Sequence, residues 1–264
     1  MVDLVDFREA GYCVLSELIS REIVDRLRAH LDACHFSHPG VGLGIFKVIH
    51  LPHLDEVVFA TKALSAFHDI LHQQLSMFPN ITVRVDTQAP WHLDEAFRRP
   101  HSGWEDGDCD FLQAIVYLQD NGLGGGGLDV VPGSHRLNEL AGKVGSVRDV
   151  VQHLLAHKQT IESKAGDCAI WDCRLLHRST QIASKNLNNY GVQWTIAKRT
   201  ARKSDFLEHL RIRGREKDDT VGVDRRYSEI ENFRFLQHAP LSFLQAAMKA
   251  NIELFDVELQ DRSN

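Results

Sequence analysis

The 264-residue chain is 43% hydrophobic and 25% charged, with a formal charge of -6, a balance that fits a soluble globular protein and argues against a dedicated, basic nucleic-acid binder. No stretch approaches the roughly 18 apolar residues of a membrane span, and the opening MVDLVDFREAGY lacks the apolar centre of a secretory signal. Cys13, Cys34, Cys109, Cys168 and Cys173 are odd in number and form no CxxC pair, so a reducing, cytoplasmic setting is expected rather than a disulfide framework.

In chain order, LISREIVDRLRAHLDAC offers Ser20 as a cap, followed by Ile23, Leu27 and Leu31 at helical spacing; it predicts an amphipathic helix. A second helix is predicted over residues 55–76. His68 and His72 stand four apart there, but without the glutamate of HExxH they read as helix-surface histidines. After Pro79 the texture changes. ITVRVDTQ alternates, with Ile81, Val83 and Val85 on one face and Arg84, Asp86 and Gln88 on the other. Counting on in steps of two brings His92 and Asp94 to that polar face, provided Pro90 keeps the register.

FLQAIVYLQ (111–119), LDVVPGSH (128–135), DCAIWDCRLLH (167–177) and NYGVQWTIAKR (189–199) continue a run of short strands, the signature of a β-sandwich or barrel-like jelly roll. Gly124–Gly127 lacks the GK[ST] ending and leads into a strand, so it reads as a hairpin connection rather than a phosphate loop. Arg211, Arg213, Arg215 and Lys217 are accompanied by the acids Glu216, Asp218 and Asp219 and read as solvated surface. PLSFLQAAMKANIELF (240–255) closes the chain as a helical stretch. No internal repeat or long linker appears. The expected organisation is one domain over 1–264, with a helical flank to about residue 78, a β core to about 200 and a helical extension beyond.

The segment WHLDEAF (91–97) sets the functional question. A histidine and an acid two apart on a strand project to one face, and a second histidine from a distant strand would complete a 2-His-1-carboxylate triad. Alone, HxD is a common spacing. His177, at the end of GDCAIWDCRLLH, is the best partner; His135, in a Pro-Gly-Ser turn, reads as structural or capping. His101 lies in a polar loop and either faces substrate or does nothing.

These pieces resemble the phytanoyl-CoA dioxygenase family of Fe(II)- and 2-oxoglutarate-dependent oxygenases. FREAGYCVLSELISREIVDRLRAHLDA, WHLD, GGGLDVVPGSHR and AGDCAIWDCRLLHRST occur in the family's order, spanning residues 7 to about 180. The resemblance implies a mainly β fold with flanking helices, built on a double-stranded β-helix (jelly-roll, cupin-like) core. It implies iron ligands and catalytic centre at His92, Asp94 and His177, with Fe(II) and 2-oxoglutarate as cofactors and O2 as co-reactant. The expected reaction is hydroxylation or another oxidation of a small soluble metabolite through a ferryl oxidant. Asp94 favours hydroxylation over halogenation, because related halogenases replace that acid.

The likeness departs at one position. In the family an arginine eleven residues past the distal histidine binds the far carboxylate of 2-oxoglutarate; here Asn188 stands there, with neither charge nor fork. Arg84 is the first candidate to replace it, with Gln88 and Lys185 as further cosubstrate-side residues. Gln113, Tyr117, Trp194 and His101 are candidates for contacting substrate, and Trp91 is expected to pack beside the ligand strand. No basic patch suited to coenzyme A is evident, and neither nucleic acid nor membrane is expected as a partner. Two other readings stay open: an Fe(II) oxygenase whose substrate chelates iron directly, and a non-catalytic metal-binding or sensing protein on the same scaffold.

Overall fold

A computed structural model describes residues 4–34, 43, 45–78, 81–94, 110–122, 126–136, 152, 155–181, 188–201 and 235–255. Helix α1 (Leu4–Ala10) leads into strand β1 (Tyr12–Leu15), and α2 (Arg21–Asp32) starts where expected. Ser20 caps it by accepting a hydrogen bond from the Ile23 amide, and Val24, Leu27 and Leu31 are its buried stripe. The helix predicted over 55–76 is instead broken. After the short α3 (Ile45–Val48) come α4 (Leu54–Val58) and α5 (Thr61–Leu71), and His72 ends α5 in the left-handed conformation. Residues Leu75–Met77 become strand β2, fully buried. Long-range strand pairing overrides the local periodicity.

The remaining strands are β3 (Thr82–Val85), β4 (Phe111–Tyr117), β5 (Leu128–Val130), β6 (Gln159–Ile161), β7 (Cys168–Asp172), β8 (His177–Ser179), β9 (Tyr190–Lys198) and β10 (Glu253–Leu254). Seven of the ten form one sheet, in the order β1-β7-β4-β9-β2-β10 with β3 also pairing β9; the other three form a sheet ordered β6-β5-β8. Two facing sheets with helices outside make a jelly roll, mainly β as expected. Ahead of the closing stretch lies α6 (Phe235–His238); the stretch itself gives α7 (Leu241–Lys249), but Asn251 turns left-handed and β10 then pairs with β2. No helix among the described residues is long and apolar enough to cross a membrane.

The large sheet has two unlike faces. Toward the helices, Leu112, Ala114 and Val116 of β4 and Tyr190, Val192, Trp194 and Ile196 of β9 join Leu27, Leu31, Phe67 and Phe243 in the main core. Toward the small sheet, Ile115, Tyr117 and Trp171 pack with Leu128, Val130 and Leu175 in a second cluster.

The stretch 167–177, expected as one strand, is two. The Asp172 carboxylate accepts from the Arg174 amide at 2.8 Å, and the Leu175 amide donates to the Asp172 carbonyl at 2.8 Å. That turn carries the chain from β7 in the large sheet to β8 in the small one, and so delivers His177 to the space between them.

Candidate metal centre

His177 opens β8 and is 4% exposed. His92 is brought to it by one antiparallel bridge: the His92 amide donates to the His177 carbonyl at 2.9 Å, and the His177 amide donates back at 3.0 Å. The Asp94 amide donates to the Cys173 carbonyl at 3.2 Å, which holds the acid against the same turn. The histidine ring centroids lie 4.2 Å apart, and Asp94 Oδ1 is 4.0 Å from His177 Nε2. One ligand atom from each of the three residues falls within 4.8 Å of the others, the only such trio among the described residues.

The donor set fits a divalent transition metal. His92 Nδ1–H donates to the Pro90 carbonyl at 2.7 Å and His177 Nδ1–H to the Leu175 carbonyl at 2.8 Å, the tautomers these acceptors require. Each Nε2 therefore carries a lone pair for an ion, with the ring already oriented. Asp94 Oδ2 is buried with no hydrogen-bond partner among the described residues. An orphaned carboxylate oxygen between two imidazoles is costly unless a cation compensates it. Burial pushes the His177 pKa down, against the pull of Asp94, which keeps the ring in its neutral, ligating form.

Behind the trio, Arg178 ties both arms together. Its Nε donates to Asp129 Oδ2 at 2.8 Å, and its guanidinium lies over the Trp91 ring at 4.8 Å. Asp129 is buried and also accepts from Thr160 and Thr180, both at 2.8 Å. One side chain thus joins the residue after His177 to the residue before His92.

In front of the trio, a pocket opens between the sheets, lined by His92 and His177 together with Arg84, Tyr117, Trp171 and Gln193. Burial pushes the Tyr117 phenol well up, against the opposing pull of the nearby Arg84 charge. Gln113 lies on this face beyond the lining, where its side-chain oxygen accepts from Gln193 Nε2 (3.3 Å) and Thr195 Oγ1 (3.1 Å).

Other candidates go elsewhere. Trp194 turns to the opposite face and packs edge-on against Phe67, because β9 places 191, 193 and 195 on the pocket side. Gln88 is exposed and outside the pocket, since β3 ends at Val85 and the left-handed Asp86 resets the alternation. Asn188 Nδ2 donates to the Tyr190 hydroxyl at 2.9 Å, which in turn donates to Asp32 on α2 at 2.8 Å; position 188 faces the helix. His135 sits in a turn away from the trio, its Nε2–H donating to the Arg8 carbonyl at 3.0 Å. His68 and His72 take no part in the centre either. His101 and Lys185 fall outside the described residues, as do Cys109, Gly124, Gly125 and the basic stretch 211–217. Ser179 and Asn189, which also line the pocket, were not singled out from sequence. The parity of β9 against Arg84 is the signal that would have exposed Gln193.

A jelly roll with two histidines and a carboxylate meeting between its sheets defines the class: the mononuclear non-haem iron oxygenases. Solved structures agree on the fold. EctD from S. alaskensis, solved with 2-oxoglutarate and 5-hydroxyectoine, is 15% identical, with a TM-score of 0.59 over 75% of this chain and 76% of its own. HygX from Streptomyces hygroscopicus, solved with nickel, 2-oxoglutarate and hygromycin B, is 17% identical, with a TM-score of 0.55 over 75% and 86%. The non-haem alpha-ketoglutarate-dependent epimerase SnoN, from nogalamycin biosynthesis, is 15% identical, with a TM-score of 0.56 over 74% and 81%. No curated protein matches the chain in sequence. The phytanoyl-CoA dioxygenase (PhyH) family pattern matches residues 7–187, and the chain belongs to that family.

Proposed function

We propose that the protein is an Fe(II)- and 2-oxoglutarate-dependent oxygenase that oxidises a small, polar, soluble metabolite, with His92, Asp94 and His177 as the iron ligands. The observation that carries this reading is the pairing of two imidazoles, each with Nε2 left for an ion, with a buried Asp94 oxygen that no described residue satisfies. Bound iron would supply activation of O2 coupled to oxidative decarboxylation of the 2-oxo acid. The chain's own residues do the rest. The Pro90 and Leu175 carbonyls fix the rings, and the mutual amides of His92 and His177 fix their spacing. Trp171, its ring centroid 5.4 Å from that of His177, walls the centre with apolar surface and limits water. Asp94 fills the position that a halide would need, which supports hydroxylation over halogenation. Tyr117, Ser179 and Gln193 give the pocket polar character suited to a small polar substrate rather than an acyl chain.

The test is anaerobic loading with Fe(II) followed by 2-oxoglutarate. The expected result is a metal-to-ligand charge-transfer band, then succinate release once O2 is admitted. Asp94→Ala and His177→Ala should lose tight metal binding while circular dichroism shows the fold intact. Oxygen uptake driven by a chelating metabolite, with neither band nor succinate, would instead establish the direct-chelation reading. A metal-loaded protein that consumes no oxygen with any candidate metabolite would favour a sensor.

A further inference from the structure

2-Oxoglutarate carries two carboxylates, and chelation through the 2-oxo group engages only one at a metal. The second is left as a full charge inside a partly buried pocket, where an uncompensated anion is expensive. A cation with donors to spare meets such a charge best. Among the described lining residues, Arg84 is the sole lysine or arginine. We propose that Arg84, reaching in from β3, grips the distal carboxylate of 2-oxoglutarate. This assignment rests on the cosubstrate reading above.

The sheet register explains why the cation comes from β3 rather than from β9. Arg84 is the cross-strand partner of Gly191, so both positions face the pocket. A Cβ at 191 would come within 2.7 Å of Ile115 Cδ1, so a side chain there would have to displace Ile115. Just before the strand, Asn189 is committed to Asp86, which accepts from both its amide (2.9 Å) and its side chain (3.0 Å). Asn188 is committed to the Tyr190 hydroxyl, on the helix side. Both described lead-in residues of β9 are therefore engaged elsewhere, and β3 lies directly alongside.

Arg84 is also held in place. Its Nε donates to Gln193 Oε1, and Gln193 donates onward to Gln113, which Thr195 also supports. This chain of amides rises from the buried floor and fixes the plane of the guanidinium. A pre-oriented guanidinium suits carboxylate recognition, because a planar fork loses little freedom on binding.

The test compares two 2-oxo acids on the metal-loaded, anaerobic protein. One is 2-oxoglutarate; the other is 2-oxovalerate, the same chain without the distal carboxylate. Affinity is read by calorimetry or by the charge-transfer band, independently of turnover. The parent should prefer 2-oxoglutarate by on the order of 10- to 100-fold, the span expected of charge-assisted hydrogen bonds. Arg84→Gln should lose that preference by weakening 2-oxoglutarate to the level of 2-oxovalerate, with metal affinity unchanged. Arg84→Lys, which keeps the charge without the fork, should recover part of it. If the parent shows the preference and Arg84→Gln retains it, the assignment to Arg84 is overturned and the cosubstrate reading survives. If the parent binds neither acid at the metal, both fall together.

Discussion

Gln193 and Trp194 are neighbours in β9 and inhabit opposite worlds. Trp194 is wholly buried against Phe67, within an apolar layer that runs from α2 to α7. Gln193 is also buried, but in a layer of amides, a hydroxyl and a guanidinium beside the pocket that His92 and His177 line. Buried polar networks cost stability unless fully satisfied. The contrast teaches that one face of the large sheet supplies the folding free energy that lets the other hold polar groups in fixed positions. Substitutions should sort accordingly: the helix face alters stability, the pocket side alters binding.

The sharpest way to break this division is Trp194→Ala. It should cost about 3–5 kcal/mol in urea unfolding, the range for deleting a buried aromatic side chain, while metal affinity of the folded fraction holds within about twofold. A large loss of affinity at constant stability would mean the faces are not separable. Arg178→Met comes next. It leaves Asp129 without its cation and unclamps Trp91, and should weaken metal binding about 10- to 100-fold by calorimetry, as loss of a group supporting metal ligands does. Trp91→Leu should act through the same contact, so the double variant should be less than additive.

A smaller, pH-dependent effect is expected at Asp172. Its pKa is lowered in the folded protein: burial works to raise it, and the hydrogen bonds and charge of Arg174 overcome that effect. Its contribution is therefore fully present above the unfolded value of about 3.9 and is lost as pH falls through the lower folded value. Asp172→Asn should be less stable than the parent at neutral pH, and thermal melts should show the gap closing below about pH 4. The mildest change is Ser20→Ala, far from the site, which should cost about 0.5–1 kcal/mol through the lost helix cap and leave metal affinity untouched.

What the sequence disclosed follows the range of the forces involved. Ser20, Leu27 and Leu31 announce α2 because capping and helical periodicity are local. Alternating strands announce the jelly roll for the same reason, and His92, Asp94 and His177 stand out as residue types suited to a metal. The route to the site was not legible. Stepping in twos from Ile81 ignores the left-handed Asp86; His92 reaches the centre by pairing with His177, a contact no local pattern encodes. Both broken helices share that origin, since their ends are drawn into β2 and β10, which pair with each other across the chain. Trp194 shows the limit most plainly. Every residue of β9 is buried, so hydrophobicity cannot tell which face is which, and only cross-strand register decides.

The reciprocal amides of His92 and His177 have one more consequence. Each amide proton is hydrogen-bonded to the other residue's carbonyl, so neither exchanges with deuterium until the pair parts. Two sites far apart along the polypeptide should then label in step, making them a spectroscopic gauge of whether the two arms are engaged, readable even in protein stripped of iron.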